Sequence, residues 1–363
     1  MDKTNRSKQA RGTLARGWPC EVIQIDSNRR NYLGRFSWPF QSVYFALQQL
    51  DQLWRGKKTT STLVPSICIG NFQAGGTGKT PMVQWTAKAL SSAGYSPVIV
   101  SRGYRGELNK VATLVHTEHT AKAVGDEAKF HSEFFPVVIG KDRIKACTLA
   151  AQYCALQKLN KPILVLDDGL QHYPLHIDFK VVCTKSSSPF WMDTLLPTGR
   201  LRQVPHSKCD AIVVLGNAIP NGYSMETDLF HFKLKIKLIR GTRLPGLLVS
   251  GLANNDEFSD HLKNEIGLSS VDMLSYKDHY NYSSKDLKIM EKRSASYNYH
   301  VHCTTKDVSK IEALISQSNS PITLSVWDTE PVSSYDNSTL LEAMVERIEY
   351  VSNNRLKKSS RKA

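Results

Sequence analysis

Between residues 64 and 93 an apolar strand, a glycine-rich turn and a helix follow one another directly, and this order most constrains the fold. Val64–Gly70 is short and apolar enough to be a buried strand, and Pro81–Ala93 has helical character. Between them lies G70-N-F-Q-A-G-G-T-G-K-T-P81. In such a turn the backbone N–H groups and the N-terminus of the following helix point together at an anion. Gly75, Gly76 and Gly78 let the backbone approach phosphates closely. Lys79 is expected to reach the β- and γ-phosphates, and Thr80 to hold Mg²⁺. The common pattern G-x-x-x-x-G-K-[ST] requires glycine where this chain has Gln73. The expected nucleotide-binding stretch is therefore a variant: Gln73, Ala74, Gly75, Gly76, Thr77, Gly78, Lys79 and Thr80. Gln73 either touches phosphate or only replaces a turn glycine.

Strands and helices then alternate. Pro97–Ser101, Pro136–Gly140, Pro162–Leu166, Phe179–Thr184 and Ala211–Leu215 read as strands, with helices over Gly125–Phe135 and Asp142–Leu159. This rhythm predicts an α/β fold: a P-loop NTPase-type parallel sheet flanked by helices. Near residue 229 the rhythm changes. Phe230, Phe232, Leu234, Ile236 and Leu238 alternate with His231, Lys233, Lys235 and Lys237, as in an antiparallel connecting strand with one wet face. A second, smaller α/β run follows, with strands at Leu247–Ser250, Val271–Leu274, His300–Cys303 and Ile322–Trp327. Its helices are expected at Asp256–Ile266, Ser284–Ala295 and Thr339–Tyr350. The resulting division is a basic arm (1–35), an amphipathic helix (36–60), a P-loop domain (61–228), a C-terminal α/β domain (229–352) and a loose basic tail (353–363).

A phosphate loop needs an acid on the metal side. I163-L-V-L-D-D-G169 ends an apolar strand in Asp167 and Asp168, at the strand end where α/β sheets place ligands. Either carboxylate can face the Mg²⁺ shell. No N-K-x-D motif for reading guanine occurs, since Thr304-T-K-D307 lacks the spacing.

The chain carries 47 basic and 33 acidic residues, a net charge of +14, which favours an acidic partner. No basic–aromatic interleaving or known nucleic-acid motif accompanies that charge, so nucleic acid is not the expected partner. The seven cysteines, at 20, 68, 147, 154, 183, 209 and 303, form no C-x-x-C pair and read as free thiols. The first thirty residues lack a signal-peptide apolar region, and no apolar run reaches the roughly 18 residues of a membrane span. Phe40, Val43, Tyr44, Leu47, Leu50 and Trp54 form one apolar stripe over residues 39–54, followed by Arg55, Lys57 and Lys58. Such a helix either packs on its own domain or lies in a membrane interface.

Seven segments occur in a telling order: the phosphate loop, S101-R-G-Y104, G125-D-E127, D167-D-G-L-Q-H172, L196-P-T-G-R-L-R202, S250-G-L252 and K277-D-H-Y280. Over roughly residues 36–327 the chain resembles the tetraacyldisaccharide 4'-kinase family of Gram-negative bacteria, whose loop also lacks the first glycine. The resemblance implies ATP- and Mg²⁺-dependent phosphorylation of the 4'-hydroxyl of a lipid disaccharide 1-phosphate. It implies two α/β domains joined by a hinge of strands, with ATP in the cleft. It also implies a peripheral enzyme on the cytoplasmic face of the inner membrane. Its 39–54 helix would meet the anionic lipid surface; the basic arm at 1–34 exceeds the family pattern and is expected to add contacts to that surface.

The resemblance further assigns the base to Asp126, paired with His279, beside Lys79 as the catalytic lysine. Without it, Asp126 reads as a helix cap and His279 as a surface histidine. Arg102, Arg143, Arg200 and Arg202 fall in or near the family segments and are expected to contact the substrate 1-phosphate or ATP. Gln171 and His172 are expected to line the same cleft. The chain departs from the family at Ala128, usually proline, at Gln203, usually an acid, and in S250-G-L-A-N-N255. The rival reading is a partitioning-type regulatory ATPase. Its loop, K-G-G-x-G-K-T, has lysine where Ala74 stands here.

Overall fold

The structure is a computed structural model; it describes residues 41–50, 54, 59–172, 174–205, 209–252, 255–268, 270–277, 280–334 and 338–360. The strands of the first half are β1 (Thr60–Ser61), β2 (Ser66–Gly70), β3 (Ser96–Ser101), β4 (Thr113–Leu114), β5 (Val137–Ile139), β6 (Pro162–Asp167), β7 (Leu175–His176), β8 (Phe179–Lys185) and β9 (Ala211–Leu215). Those of the second half are β10 (Asp228–Arg240), β11 (Leu247–Ser250), β12 (Met273–Ser275), β13 (His300–Thr304) and β14 (Thr323–Ser333). β1 and β7 form a small separate pair. The other twelve make one sheet, in the order β12-β11-β13-β14-β10-β9-β8-β2-β6-β3-β5-β4.

Neighbours in this sheet run parallel except β4 with β5 and β10 with β14. The central strands are buried on both faces, so they read as continuous apolar runs rather than alternating ones. Helices cover both faces of the first half. Residues 41–50 form α1; α2 (Lys79–Ser92), α3 (Ala121–Val124), α4 (Asp126–Ser132) and α5 (Arg143–Leu156) follow. Met82, Val83 and Ala87 of α2 pack on one sheet face with Ile67, Ile69 and Ile163. On the other, Ala146, Ala150 and Cys154 of α5 pack with Val98, Leu164 and Leu166. The second half carries α6 (Asn255–Ile266), α7 (Ser284–Ser294) and α8 (Thr305–Ser318) around its own cluster of Leu247, Val249, Met290, Val301 and Ile311.

The expected connector is present. β10 continues the parallel order beside β9 and pairs antiparallel with β14, Leu234 opposite Pro331 and Ile236 opposite Thr329. Phe232 and Ile236 are buried while Lys233, Lys235 and Lys237 are exposed, as the alternation predicts; His231, expected on the wet face, is instead buried, with its Nε2 2.8 Å from Gly216 O.

Two expectations are corrected. The stretch after His300–Thr304 is a full helix, α8, which the sequence reading passes over. The final segment is not a loose tail from residue 353: α9 runs Ser338–Ser360. Leu340, Met344 and Ile348 bury this helix in the first-half core, worth about 1.5–3 kcal/mol each. Further along, Arg355 donates to both carboxylate oxygens of the buried Asp178 at 3.0 and 2.9 Å, and this pairing extends the helix past the apolar stripe.

The cysteines among the described residues are all free. Among the described residues no helix is long and apolar enough to cross a membrane.

Candidate active site

The phosphate loop leaves the end of β2 and enters α2 at Lys79. Gly75 and Gly78 have φ of +104° and +82°, in the region that disfavours side chains. A Cβ on Gly78 would also lie 2.3 Å from Leu215 Cδ1. α2 begins with no side-chain cap and no acid in its first turn, so its N-terminal N–H groups and positive dipole end are available to an anion. Gly75 through Thr80 line a cavity of about 460 Å³ between the two halves of the molecule. Lys185 completes the first-half wall; Glu257, Lys306, Trp327 and Asp328 belong to the second.

The front of the loop behaves differently. Gln73 is buried, and its amide nitrogen donates to Ser188 O at 3.0 Å and Asp193 Oδ2 at 2.8 Å. Its amide oxygen accepts from Thr184 Oγ1 at 3.2 Å. The Ala74 N–H donates to Arg200 O at 2.7 Å. Neither residue lines the cavity with the rest of the loop. This corrects their expected place in a phosphate cradle: they clip it to the 193–202 segment, and the cradle starts at Gly75.

The acidic pair is split by its backbone. Asp167 ends β6 and points inward. Asp168, at φ +56°, directs its carboxylate to Lys79 and Arg202 instead. Asp167 is buried, and its Oδ2 lies 3.5 Å from His131 Nε2. Burial would push the Asp167 carboxyl up, but His131 beside it, with Lys79 and Arg143 nearby, holds it below its ordinary value. Asp168 is 4.0 Å from Lys79 Nζ and 3.4 Å from Arg202 Nη2. Thr80 Oγ1 donates to Glu127 Oε1 at 3.3 Å.

These groups fit a nucleotide–metal site. Mg²⁺ keeps several waters and takes few protein ligands, so a hydroxyl and one or two carboxylates suffice. Among the described residues no cluster of three or more His, Cys, Asp or Glu side chains suited to a metal occurs. The buried Asp167 Oδ2 has no hydrogen-bond partner within normal limits, as expected where a ligand shell completes it.

The arginines divide. Arg143 is 3% exposed; it donates to the carbonyls of Gly140, Asp167 and Asp168 at 2.8, 3.2 and 3.3 Å. It props up the acidic turn from below, which corrects its expected contact with substrate phosphate. Arg202 reaches Asp168 and also hydrogen-bonds Asn71 Oδ1, beside the loop. Arg200 is largely exposed, and its Nε pairs with Asp193 at 2.9 Å. Arg102 is exposed just beyond β3. Gln171 donates to Asn71 O at 2.9 Å, while His172 occupies the half-buried turn after it.

Asp126 opens α4, after Gly125 at φ +94°. Lys310 Nζ of α8 lies 2.9 Å from its Oδ2. His279, its expected partner, lies outside the described residues. The sequence reading missed Glu127, His131 and Lys310. Glu127 was visible as the third residue of G125-D-E127; His131 and Lys310 carried no motif.

The rim of the cleft adjoins α1. Tyr44 Oη donates to Arg202 O at 2.8 Å, and Gln41 hydrogen-bonds Thr198. Val43, Leu47 and Leu50 on α1, and Trp54 beyond it, are exposed; Trp54 is 78% exposed.

A parallel sheet, an anion-binding loop with its lysine and hydroxyl, and carboxylates at the neighbouring strand end define an ATP-dependent phosphotransferase of the P-loop class. Comparison with known proteins agrees and is more specific. Residues 33–349 match the family model for tetraacyldisaccharide-1-P 4'-kinase. The chain is 29% identical over 288 residues to the tetraacyldisaccharide 4'-kinase of Wigglesworthia glossinidia brevipalpis, covering 76% of each. It is 31% identical to that of Rickettsia felis, over 79% of this chain and 87% of the relative. The fold is similar to the crystal structure of the Aquifex aeolicus protein of this family in complex with ATP. Identity there is 25% and the TM-score 0.67, over 87% of this chain and 99% of the other. The chain belongs to the tetraacyldisaccharide 4'-kinase family. It is a kinase that uses ATP and Mg²⁺.

Proposed function

We propose that the enzyme transfers the γ-phosphoryl group of ATP to the 4'-hydroxyl of a tetraacyldisaccharide 1-phosphate, forming lipid IVA, while lying peripherally on the cytoplasmic face of the bacterial inner membrane. The family match over residues 33–349 carries this reading, because it spans both walls of the cleft. The regulatory-ATPase alternative has no comparable support. The exposed stripe of Val43, Leu47, Leu50 and Trp54 supports a lipid acceptor, since α1 hydrogen-bonds the cleft rim through Tyr44 and Arg202. Basic residues in the first 35 positions add attraction to anionic lipid.

Bound ATP supplies the phosphoryl group, and Mg²⁺ neutralises charge on its phosphates. Residues 75–80 hold the phosphates through backbone N–H groups and Lys79. Thr80 and Asp168 would hold the metal, with Asp167 behind them. Asp126 accepts the proton of the acceptor hydroxyl, and His279 orients it. Support for that pairing comes from Lys310, whose ammonium touches both Asp126 and the carbonyl of Tyr280, the residue after His279. Arg102, Arg200 and Arg202 would contact the 1-phosphate of the acceptor. Residues 61–228 act as the nucleotide domain and 229–352 as the closing domain, with β10 and β14 between them.

The test is transfer of γ-labelled phosphate in mixed micelles, offering lipid disaccharide 1-phosphate, DNA or water alone. Label in the lipid arm supports the reading; label released only to water supports a regulatory ATPase.

A further inference from the structure

Lys310 lies in the second turn of α8, in the second half of the molecule. Its ammonium is 2.9 Å from Asp126 Oδ2 and 3.3 Å from Tyr280 O. Asp126 comes from the first half, 184 residues away in the chain. Both side chains of the ion pair are mostly covered, 17% and 23% exposed. One ammonium thus joins three segments: the start of α4, the middle of α8 and the loop that follows β12.

That loop is fixed to α8 at a second point. Asp307, one turn before Lys310, is buried. Its Oδ2 accepts from Thr304 Oγ1 at 2.7 Å and Gly251 N at 3.1 Å, and its Oδ1 accepts from Tyr282 Oη at 3.0 Å. Tyr276, Tyr280 and Tyr282 pack against one another with ring centres 4.6 to 5.4 Å apart. Tyr282 through its hydroxyl and Tyr280 through its carbonyl are therefore both tied to α8. Asp307 makes contacts only within the second half; Lys310 alone of the two reaches across to Asp126.

We propose that Lys310 is a positioning residue for phosphoryl transfer. It holds the Asp126 carboxylate in a fixed orientation, and couples that carboxylate to the backbone carbonyl of Tyr280 where the two halves meet. The proposal rests on Asp126 being the base. A carboxylate that is to take a proton must be held beside the acceptor hydroxyl. It must also present a lone pair in a fixed direction, which a charge-assisted hydrogen bond to its other oxygen enforces. An ammonium has three donors and no acceptor, so it can serve Oδ2 and a carbonyl together. Because carboxylate and ammonium lie on different halves, the arrangement is complete only when the cleft is closed. That would restrict a competent base to the state in which the substrates are enclosed.

The test uses the full-length protein in mixed micelles with γ-labelled ATP and the lipid disaccharide 1-phosphate. Four variants are compared: Lys310→Met, Lys310→Arg, Asp126→Ala and the Asp126→Ala/Lys310→Met pair. Lys310→Met keeps the stem and removes the charge. It is expected to lower kcat by ~10- to 100-fold with KM for ATP within about threefold, as for loss of an orienting contact. Lys310→Arg restores most of that loss. The pair is no slower than Asp126→Ala alone, since a positioning residue has nothing left to position. Wild-type turnover in Lys310→Met overturns the proposal. So does a thermal melt whose shift accounts for the whole loss, an arginine variant as slow as the methionine one, or losses that multiply in the pair. Near-normal turnover in Asp126→Ala removes instead the reading of Asp126 as base, and the proposal with it.

Discussion

His131 Nε2 lies 3.5 Å from Asp167 Oδ2, and both side chains are buried. Gln84 Nε2 donates to His131 Nδ1 at 2.7 Å, which leaves the His131 Nε2 proton directed at the carboxylate. The inner acid is thus held by a buried chain of side chains, whereas the partly exposed Asp168 pairs with Lys79 and Arg202. The two acids should fail in different ways. His131→Ala, which strands a buried carboxylate, should cost about 3 kcal/mol in a denaturant melt. Asp168→Asn should leave the melt nearly unchanged and lower kcat by ~100-fold or more, as loss of a metal-side charge would. Equal effects of the two variants on stability would contradict this division.

The missing glycine gives a second prediction. Gln73→Gly brings the loop back to the common pattern but removes the contacts to Thr184, Ser188 and Asp193. It should destabilise the fold by ~1–3 kcal/mol, from the buried groups left unpaired. It should not tighten ATP binding, measured by titration calorimetry. Tighter binding would mean that Gln73 is only a poor substitute for a turn residue.

His302 gives a pH prediction. It is buried, its Nδ1 accepts from Trp327 Nε1 at 3.0 Å, and its Nε2 donates to Leu244 O at 2.9 Å. Burial, and His300 beside it, push its pKa down to about 4, against a smaller opposing effect of the Leu244 hydrogen bond. Protonation would also place a second N–H against the Trp327 N–H. A depressed pKa means that the unfolded chain binds the proton more readily. The contribution is therefore present above pH ~6.5 and is lost as pH falls through about 4. Melts between pH 7 and 4 should lose up to ~3 kcal/mol through this group. Trp327 fluorescence should report the change because the indole touches the ring. In His302→Gln this part of the acid slope should vanish; an unchanged slope would remove His302 as its source.

The fold was legible where local pattern and final burial agree. Ala211–Leu215, between Asp210 and Gly216, and Leu247–Ser250, between Gly246 and Gly251, are largely apolar runs with clear breaks, and both are strands with the expected limits. The phosphate loop was legible because glycines, lysine and threonine occupy fixed places between a strand and a helix. α8 was passed over because its buried face is narrow: Asp307 and Ile311 are its only buried residues, so the apolar signal is thin. The end of α9 was read as loose because its stabilising partner, Asp178, is 177 residues away. Arg143 shows the same limit. Its position near the acidic pair was readable, but only the fold reveals that it faces carbonyls rather than the cleft. Lys310 is the strongest case, since a lone lysine on an unrecognised helix carries no signal until α4 and α8 meet.

The central claim is that this cleft phosphorylates a lipid at the membrane. The most direct measurement is the position of γ-phosphate label after incubation with ATP, Mg²⁺ and tetraacyldisaccharide 1-phosphate in mixed micelles. The account predicts label on the 4'-oxygen of the lipid, abolished by Lys79→Ala and reduced at least ~100-fold by Asp126→Ala. ATP consumed at the same rate without the lipid, with no label in the lipid fraction, would contradict it.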